Sequence, residues 1–206
     1  APRSGVVTTR LLRASVSNGS MDSESPVSRR TTVWTIGHST RPWDDFVQLL
    51  RAQDITAIAD VRRFPGSRRH PWFASEQMAG ALPPLGIGYE WIPELGGRRK
   101  AQPASPNGAW DNAAFQGYAD HMTSAEFADG LRKVLTLARA HRTALMCAEA
   151  PWWRCHRRLI SDLLTHRGHE VLHIVSSTEP KPHPLNPMAR AVGENLIYPP
   201  TQGALF

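Results

Sequence analysis

An α/β fold with a mostly parallel sheet flanked by helices, a Rossmann-like three-layer sandwich, is predicted by three observations on this 206-residue chain. Short apolar runs alternate with amphipathic stretches between Thr32 and Ser176, as strand–helix units require. Nearly every apolar run ends in a polar loop rather than a tight hairpin turn, so crossover connections join the strands. No apolar run approaches the roughly 20 residues that a membrane-spanning helix needs, so no membrane partner is expected.

The first element is the β-prone run Thr32-Val33-Trp34-Thr35-Ile36, closed by Gly37-His38-Ser39-Thr40. Phe46, Val47, Leu49 and Leu50 then give the stretch from Trp43 to Ala52 the spacing of a helix. Ile55 to Val61 is a second strand, and Arg62-Arg63-Phe64-Pro65-Gly66-Ser67-Arg68-Arg69 must turn at its Pro-Gly pair. A short helix over Glu76 to Leu82 and a strand over Gly88 to Ile92 follow. Gly96-Gly97-Arg98-Arg99-Lys100 is a basic loop, and Gln102 to Asn112 is irregular surface. Ser124 caps a helix whose Phe127, Leu131, Val134, Leu135 and Ala138 share one face. Thr143 to Cys147 is a buried strand, Cys155 to His166 a helix stopped by Gly168, and Glu170 to Val175 the last strand. The Pro-rich stretch to Pro187 resists regular structure. The chain thus divides into a disordered leader over 1–30, a domain over 31–176 and an extended tail over 177–206.

Composition narrows the function classes. Apolar residues make up 41% of the chain, ordinary for a globular protein, and two cysteines cannot make a disulfide framework. A reduced, cytoplasmic setting is expected. Half of the formal net charge of +6 sits in residues 1–30, where five arginines face two acids. The basic signal of the domain itself is therefore mild. That leader is rich in Ser, Thr and Arg, lacks an initial Met (the first methionine is Met21) and lacks the apolar centre of a secretory signal, so it is expected to derive from upstream sequence.

In open parallel sheets ligands bind beyond the carboxyl ends of the strands. That rule brings distant segments to one rim: Gly37, His38 and Ser39; Asp60, Arg62, Arg63, Ser67 and Arg68; Gly96, Gly97 and Arg98; and Cys147, Glu149, Cys155, His156 and Arg157. Cys155, opening a helix beside Arg154, His156 and Arg157, has the surroundings that favour a thiolate. Cys147, ending an apolar strand, is either a second thiol of the site or an inert core residue. His38 and Glu149 are the proton-transfer candidates, although His38 could equally tie down its loop and Glu149 could neutralise an arginine. Ser39, Arg62, Arg63, Ser67, Arg68, Arg98, His156 and Arg157 form the anion-binding set, because guanidinium suits bidentate phosphate recognition. Asp60, Gly37, Gly96 and Gly97 are given structural or orienting roles. Trp152 and Trp153 either stack on a ring or pack beneath the loop. The sixth residue after Cys147 is Trp153 and after Cys155 is Ser161, so the cysteine-phosphatase loop with its arginine is disfavoured.

The chain resembles the family called domain of unknown function 488 from about Val33 to Val175. The resemblance rests on Thr35-Ile36-Gly37-His38-Ser39, on Asp60-Val61-Arg62 with Phe64-Pro65-Gly66-Ser67-Arg68, and on Leu95-Gly96-Gly97. Phe115-Gln116-Gly117-Tyr118-Ala119, Met146-Cys147-Ala148-Glu149 and Cys155-His156-Arg157-Arg158 complete it. It implies an α/β domain with a site of unassigned chemistry.

These residues lead to the expectation of an enzyme acting on a phosphate-bearing substrate, a nucleotide or nucleic acid, by hydrolysis or group transfer through a cysteine. No cofactor is predicted. Two alternatives compete: a non-catalytic nucleic-acid-binding module built on Arg62 to Arg69 and Arg98 to Lys100, and a metal-dependent hydrolase using Cys147, Cys155, His38 and His156.

Overall fold

A computed structural model describes residues 30–66 and 69–200. The leader up to residue 29, and Ser67 and Arg68 of the expected anion site, lie outside the described residues, as does the end of the tail from residue 201. The strands are β1 (Thr32–Gly37), β2 (Ala57–Asp60), β3 (Gly88–Trp91), β4 (Thr143–Cys147), β5 (Glu170–Ile174) and β6 (Lys181–Pro182). They form one sheet in the order β3-β2-β4-β1-β5-β6, parallel except for β6. A separate antiparallel hairpin pairs β7 (Arg190–Val192) with β8 (Asn195–Ile197).

Successive strand residues point to opposite faces, and both faces are covered. Trp34, Ile36, Ile58, Ala144, Met146 and Ile174 pack with Phe46, Leu49 and Leu50 of α1 (Trp43–Ala52) and Met78 of α2 (Ser75–Ala81). Val33, Ala59, Leu145 and Val171 pack on the other side against α3 (Ala113–His121), α4 (Ala125–Ala140) and α5 (Arg157–His166). The result is the three-layer α/β sandwich that the alternation of runs predicts. No helix among the described residues is long and apolar enough to cross a membrane.

Three local differences from the expected elements have physical causes. Helix α3 was not anticipated, because its buried side is partly polar: the Asp120 carboxylate accepts from Gln102 N, Ser105 Oγ and Asn107 Nδ2 and so ties the irregular loop down. Helix α5 starts at Arg157 rather than Cys155, which is extended at φ −128° and ψ 150°. The segment after Ser177, expected as an extended tail, carries three short strands and is built into the fold. Strand β6 continues the sheet, and Leu196 and Tyr198 join the core beside α5.

Candidate functional site

Strands β2, β4 and β1 end side by side, and the connections leaving β2 and β4 enclose a cleft of about 260 Å³. Arg62, Arg63 and Phe64 line it from one side, and Cys147, Ala148, Glu149, Arg154, Cys155 and His156 from the other. Gly97, Arg98, Asn112, Ala114 and Phe115 close it. Arg63, Arg98 and Arg154 are exposed, so three cations surround an entrance flanked by the exposed ring of Phe64. Arg98 sits in the left-handed region at φ 59°.

The floor holds the two thiols. His156 Nδ1 lies 3.5 Å from Cys155 Sγ and 3.9 Å from Cys147 Sγ, and the three atoms are mutually within 4.8 Å. His156 Nε2 is 2.9 Å from the Val61 carbonyl, which can only accept, so Nε2 carries a hydrogen. Nδ1 is therefore the nitrogen that faces sulfur. It can take a thiol proton or, once protonated, donate to a thiolate. Gly97 is required beside it, since a Cβ there would lie 2.9 Å from Nδ1 and displace the ring.

Arg157 completes the floor. It is 1% exposed, and its guanidinium donates to Cys155 Sγ at 3.5 Å, Thr35 Oγ1 at 3.5 Å and the Glu149 and Ala150 carbonyls. It makes no ion pair with a carboxylate among the described residues. A buried cation with only neutral acceptors is costly, so an anion on Cys155 balances it. Burial opposes that charge, but the hydrogen bond from Cys147 and the fields of His156 and Arg157 overcome it and hold Cys155 well below the ordinary thiol range. Cys147, donating to that thiolate and buried beside it, is pushed well up. Cys155 lies just before α5, and the side chains of Cys147, His156 and Arg157 supply a field that favours its thiolate.

Other expected site residues are engaged elsewhere. Asp60, fully buried, accepts from Arg62 Nε at 2.8 Å, Arg62 Nη2 at 2.5 Å and Tyr89 Oη at 2.6 Å. The remaining Arg62 nitrogen is 3.2 Å from His38 Nε2. Arg62 therefore spends its fork on an internal carboxylate, as Arg157 spends its own on the floor. His38 stacks on Phe73, donates from Nδ1 to the Ser39 carbonyl and does not line the cleft. Burial first, then the Arg62 charge, lowers it from the ordinary 6.5 to about 4. A depressed folded-state value means that the unfolded chain binds the extra proton. His38 thus contributes stability above about 6.5 that is lost as pH falls toward 4. Urea midpoints taken between pH 7 and 4 should fall over that window, and His38→Gln should flatten part of the fall.

Ser39 is half-buried at φ 49°, with its N–H on the Ala148 carbonyl. Gly37 lets β1 cross the next loop, since a Cβ there would overlap the Glu149 carbonyl. Gly96 lies against the Arg63 backbone. Glu149 is exposed and lines the cleft, and its carbonyl holds Arg157. Trp152 stacks on His173 at 4.1 Å, whereas Trp153 is about half exposed. Arg154, Phe64, Asn112 and Phe115 were not in the expected set, and only the cluster of arginines beside Cys155 signalled one of them.

The family model described as domain of unknown function DUF488 matches residues 42–164, which include Arg62, Gly97, both cysteines, His156 and Arg157. No curated protein and no solved structure shows a match. With three-fifths of its length matched, and with the cleft's thiols, imidazole and arginines inside the match, the chain belongs to the DUF488 family.

Proposed function

We propose that this protein is a thiol-dependent hydrolase or transferase acting on a phosphate-bearing substrate, with Cys155 as the nucleophile. The observation that carries this reading is the carboxylate-free, buried Arg157 held against Cys155 Sγ at the floor of an arginine-lined cleft. In the proposed reaction Cys155 Sγ bonds to an electrophilic centre of the substrate. The leaving group departs with its electron pair and takes a proton from His156 Nδ1; water or an acceptor, giving a proton back to that nitrogen, then displaces the Cys155 sulfur as a thiolate. Arg63, Arg98 and Arg154 bind the anionic part, while Phe64 and Phe115 offer apolar faces for a base or another ring. His156 takes the proton-transfer role for which His38 and Glu149 were the expected candidates.

A second reading has its own observation. A tetrahedral zinc ion with bonds of about 2.3 Å to sulfur and 2.0–2.1 Å to nitrogen sets sulfur–nitrogen edges of roughly 3.5 Å. Here those edges are 3.5 and 3.9 Å. The Val61 carbonyl, accepting from His156 Nε2, also suits a metal-bound imidazole. His38, paired with Arg62, would not be among the ligands.

One experiment separates the two. Site-resolved alkylation of the full chain, with parallel metal analysis, should show Cys155 labelled and less than about a tenth of an equivalent of zinc. Pyrophosphate or a nucleoside monophosphate should protect Cys155, and Arg98→Ala with Arg154→Ala should weaken that protection about tenfold or more. Stoichiometric zinc, with both thiols protected until a chelator removes it, would instead establish the metal reading.

A further inference from the structure

The α5 face of the sheet carries a line of buried polar side chains that runs from the thiol site into the C-terminal segment. Arg157 Nη1 donates to Thr35 Oγ1 at 3.5 Å, and Thr35 Oγ1 is 2.7 Å from His173 Nδ1. His173 Nε2 is 2.9 Å from His183 Nδ1, and His183 Nε2 is 2.8 Å from Asp162 Oδ1. Asp162 also accepts from Asn186 N at 2.9 Å and Tyr198 Oη at 2.8 Å. Thr35, Asp162, His173, His183, Asn186 and Tyr198 are all buried, and the indole of Trp152 lies flat on His173.

The hydrogens can be assigned from chemistry. Asp162, surrounded by three donors, accepts from His183 Nε2–H, which leaves His183 Nδ1 as an acceptor. His173 then donates from Nε2 and accepts at Nδ1 from the Thr35 hydroxyl, whose oxygen takes the Arg157 hydrogen. Every hydrogen in this assignment has an acceptor. With the opposite polarity His173 Nδ1–H and Arg157 would both donate to Thr35, and the hydroxyl hydrogen would lose its acceptor. Burial, the largest cause, lowers His173 from the ordinary 6.5 to about 3, in keeping with a neutral ring.

We infer that Thr35, His173, His183 and Asp162 are positioning residues: they form a one-way hydrogen-bonded chain that links the buried Arg157 cation to the buried Asp162 anion and fixes the guanidinium against Cys155. This inference rests on the thiol reading of the site. Aligned neutral dipoles between two opposite charges strengthen one another in a low-dielectric interior. The chain also gives the ordered C-terminal segment a role, because His183 and Tyr198 both come from it and both grip the same α5 carboxylate.

The test uses the full chain and iodoacetamide at pH 7, with a thermal melt on every variant. Thr35→Val keeps the strand's shape but removes the hydroxyl link, and it should slow Cys155 labelling by about three- to tenfold, the change in thiolate that half to one pKa unit gives. Thr35→Ser restores the hydroxyl and should recover most of the rate. Labelling at the wild-type rate in folded Thr35→Val would overturn the inference, as would equal slowing in Thr35→Ser. Should Thr35→Val fail to fold, His183→Gln breaks the same chain under the same expectations. Imidazole nitrogen spectra of the wild type add a direct check: both rings should carry hydrogen on Nε2, and hydrogen on Nδ1 of either would contradict the polarity. An inert wild-type Cys155 would end the thiol reading together with this inference. A reactive Cys155 indifferent to Thr35→Val would end the inference alone.

Discussion

Replacing Arg157 by glutamine is expected to slow alkylation of Cys155 at pH 7 at least about tenfold, because each pKa unit regained by the thiol removes a factor of ten in thiolate. Glutamine keeps a hydrogen-bonding head but neither the charge nor the fork. The Glu149 and Ala150 carbonyls and Thr35 Oγ1 would compete for its two hydrogens, and Cys155 Sγ would lose its charged donor. Stability should fall as well, by roughly 3–5 kcal/mol if Cys155 stays ionised without its counter-charge, and by less if it protonates. Far-UV circular dichroism and urea titration separate the two effects. A folded Arg157→Gln protein with unchanged Cys155 labelling would show that His156 and Cys147 alone activate the thiol.

Arg62→Met is expected to cost about 3–5 kcal/mol, since among the described residues it leaves the fully buried Asp60 carboxylate with Tyr89 and one backbone N–H. Adding Asp60→Asn should recover part of the loss, because the stranded charge then disappears. Urea midpoints of the two single variants and the double variant measure this directly. If Arg62→Met costs under about 1 kcal/mol, Arg62 is free to serve a ligand and its assignment here to an internal pair fails.

Much of the fold was legible because the strands are short apolar runs separated by amphipathic helices, and the strand ends then located the cleft. Val33 to Ile36 and Thr143 to Cys147 are buried on both faces, as central parallel strands are, and their loops do meet. What remained hidden depends on pairing across the chain. Arg62 and Arg157 look like anion-binding groups in sequence, since arginine after a strand suits that role, but only the folded chain shows each guanidinium already taken. His173 lies in a strand, His183 in a Pro-rich segment and Asp162 inside a helix, and no spacing joins them. His156 was expected to bind an anion because it neighbours arginines. The Val61 carbonyl, 95 residues away in sequence, fixes its ring so that Nδ1 meets the sulfurs instead.

Thiolate character of Cys155 near neutral pH is read from the rate of iodoacetamide alkylation at each cysteine from pH 4 to 10, followed by mass spectrometry on the native chain. The expected result is a Cys155 midpoint well below the roughly 8.5 of a free thiol, with Cys147 labelled far more slowly and only at higher pH. Two thiols that both stay inert until the protein unfolds, or a Cys155 midpoint at or above that of a free thiol, would contradict it.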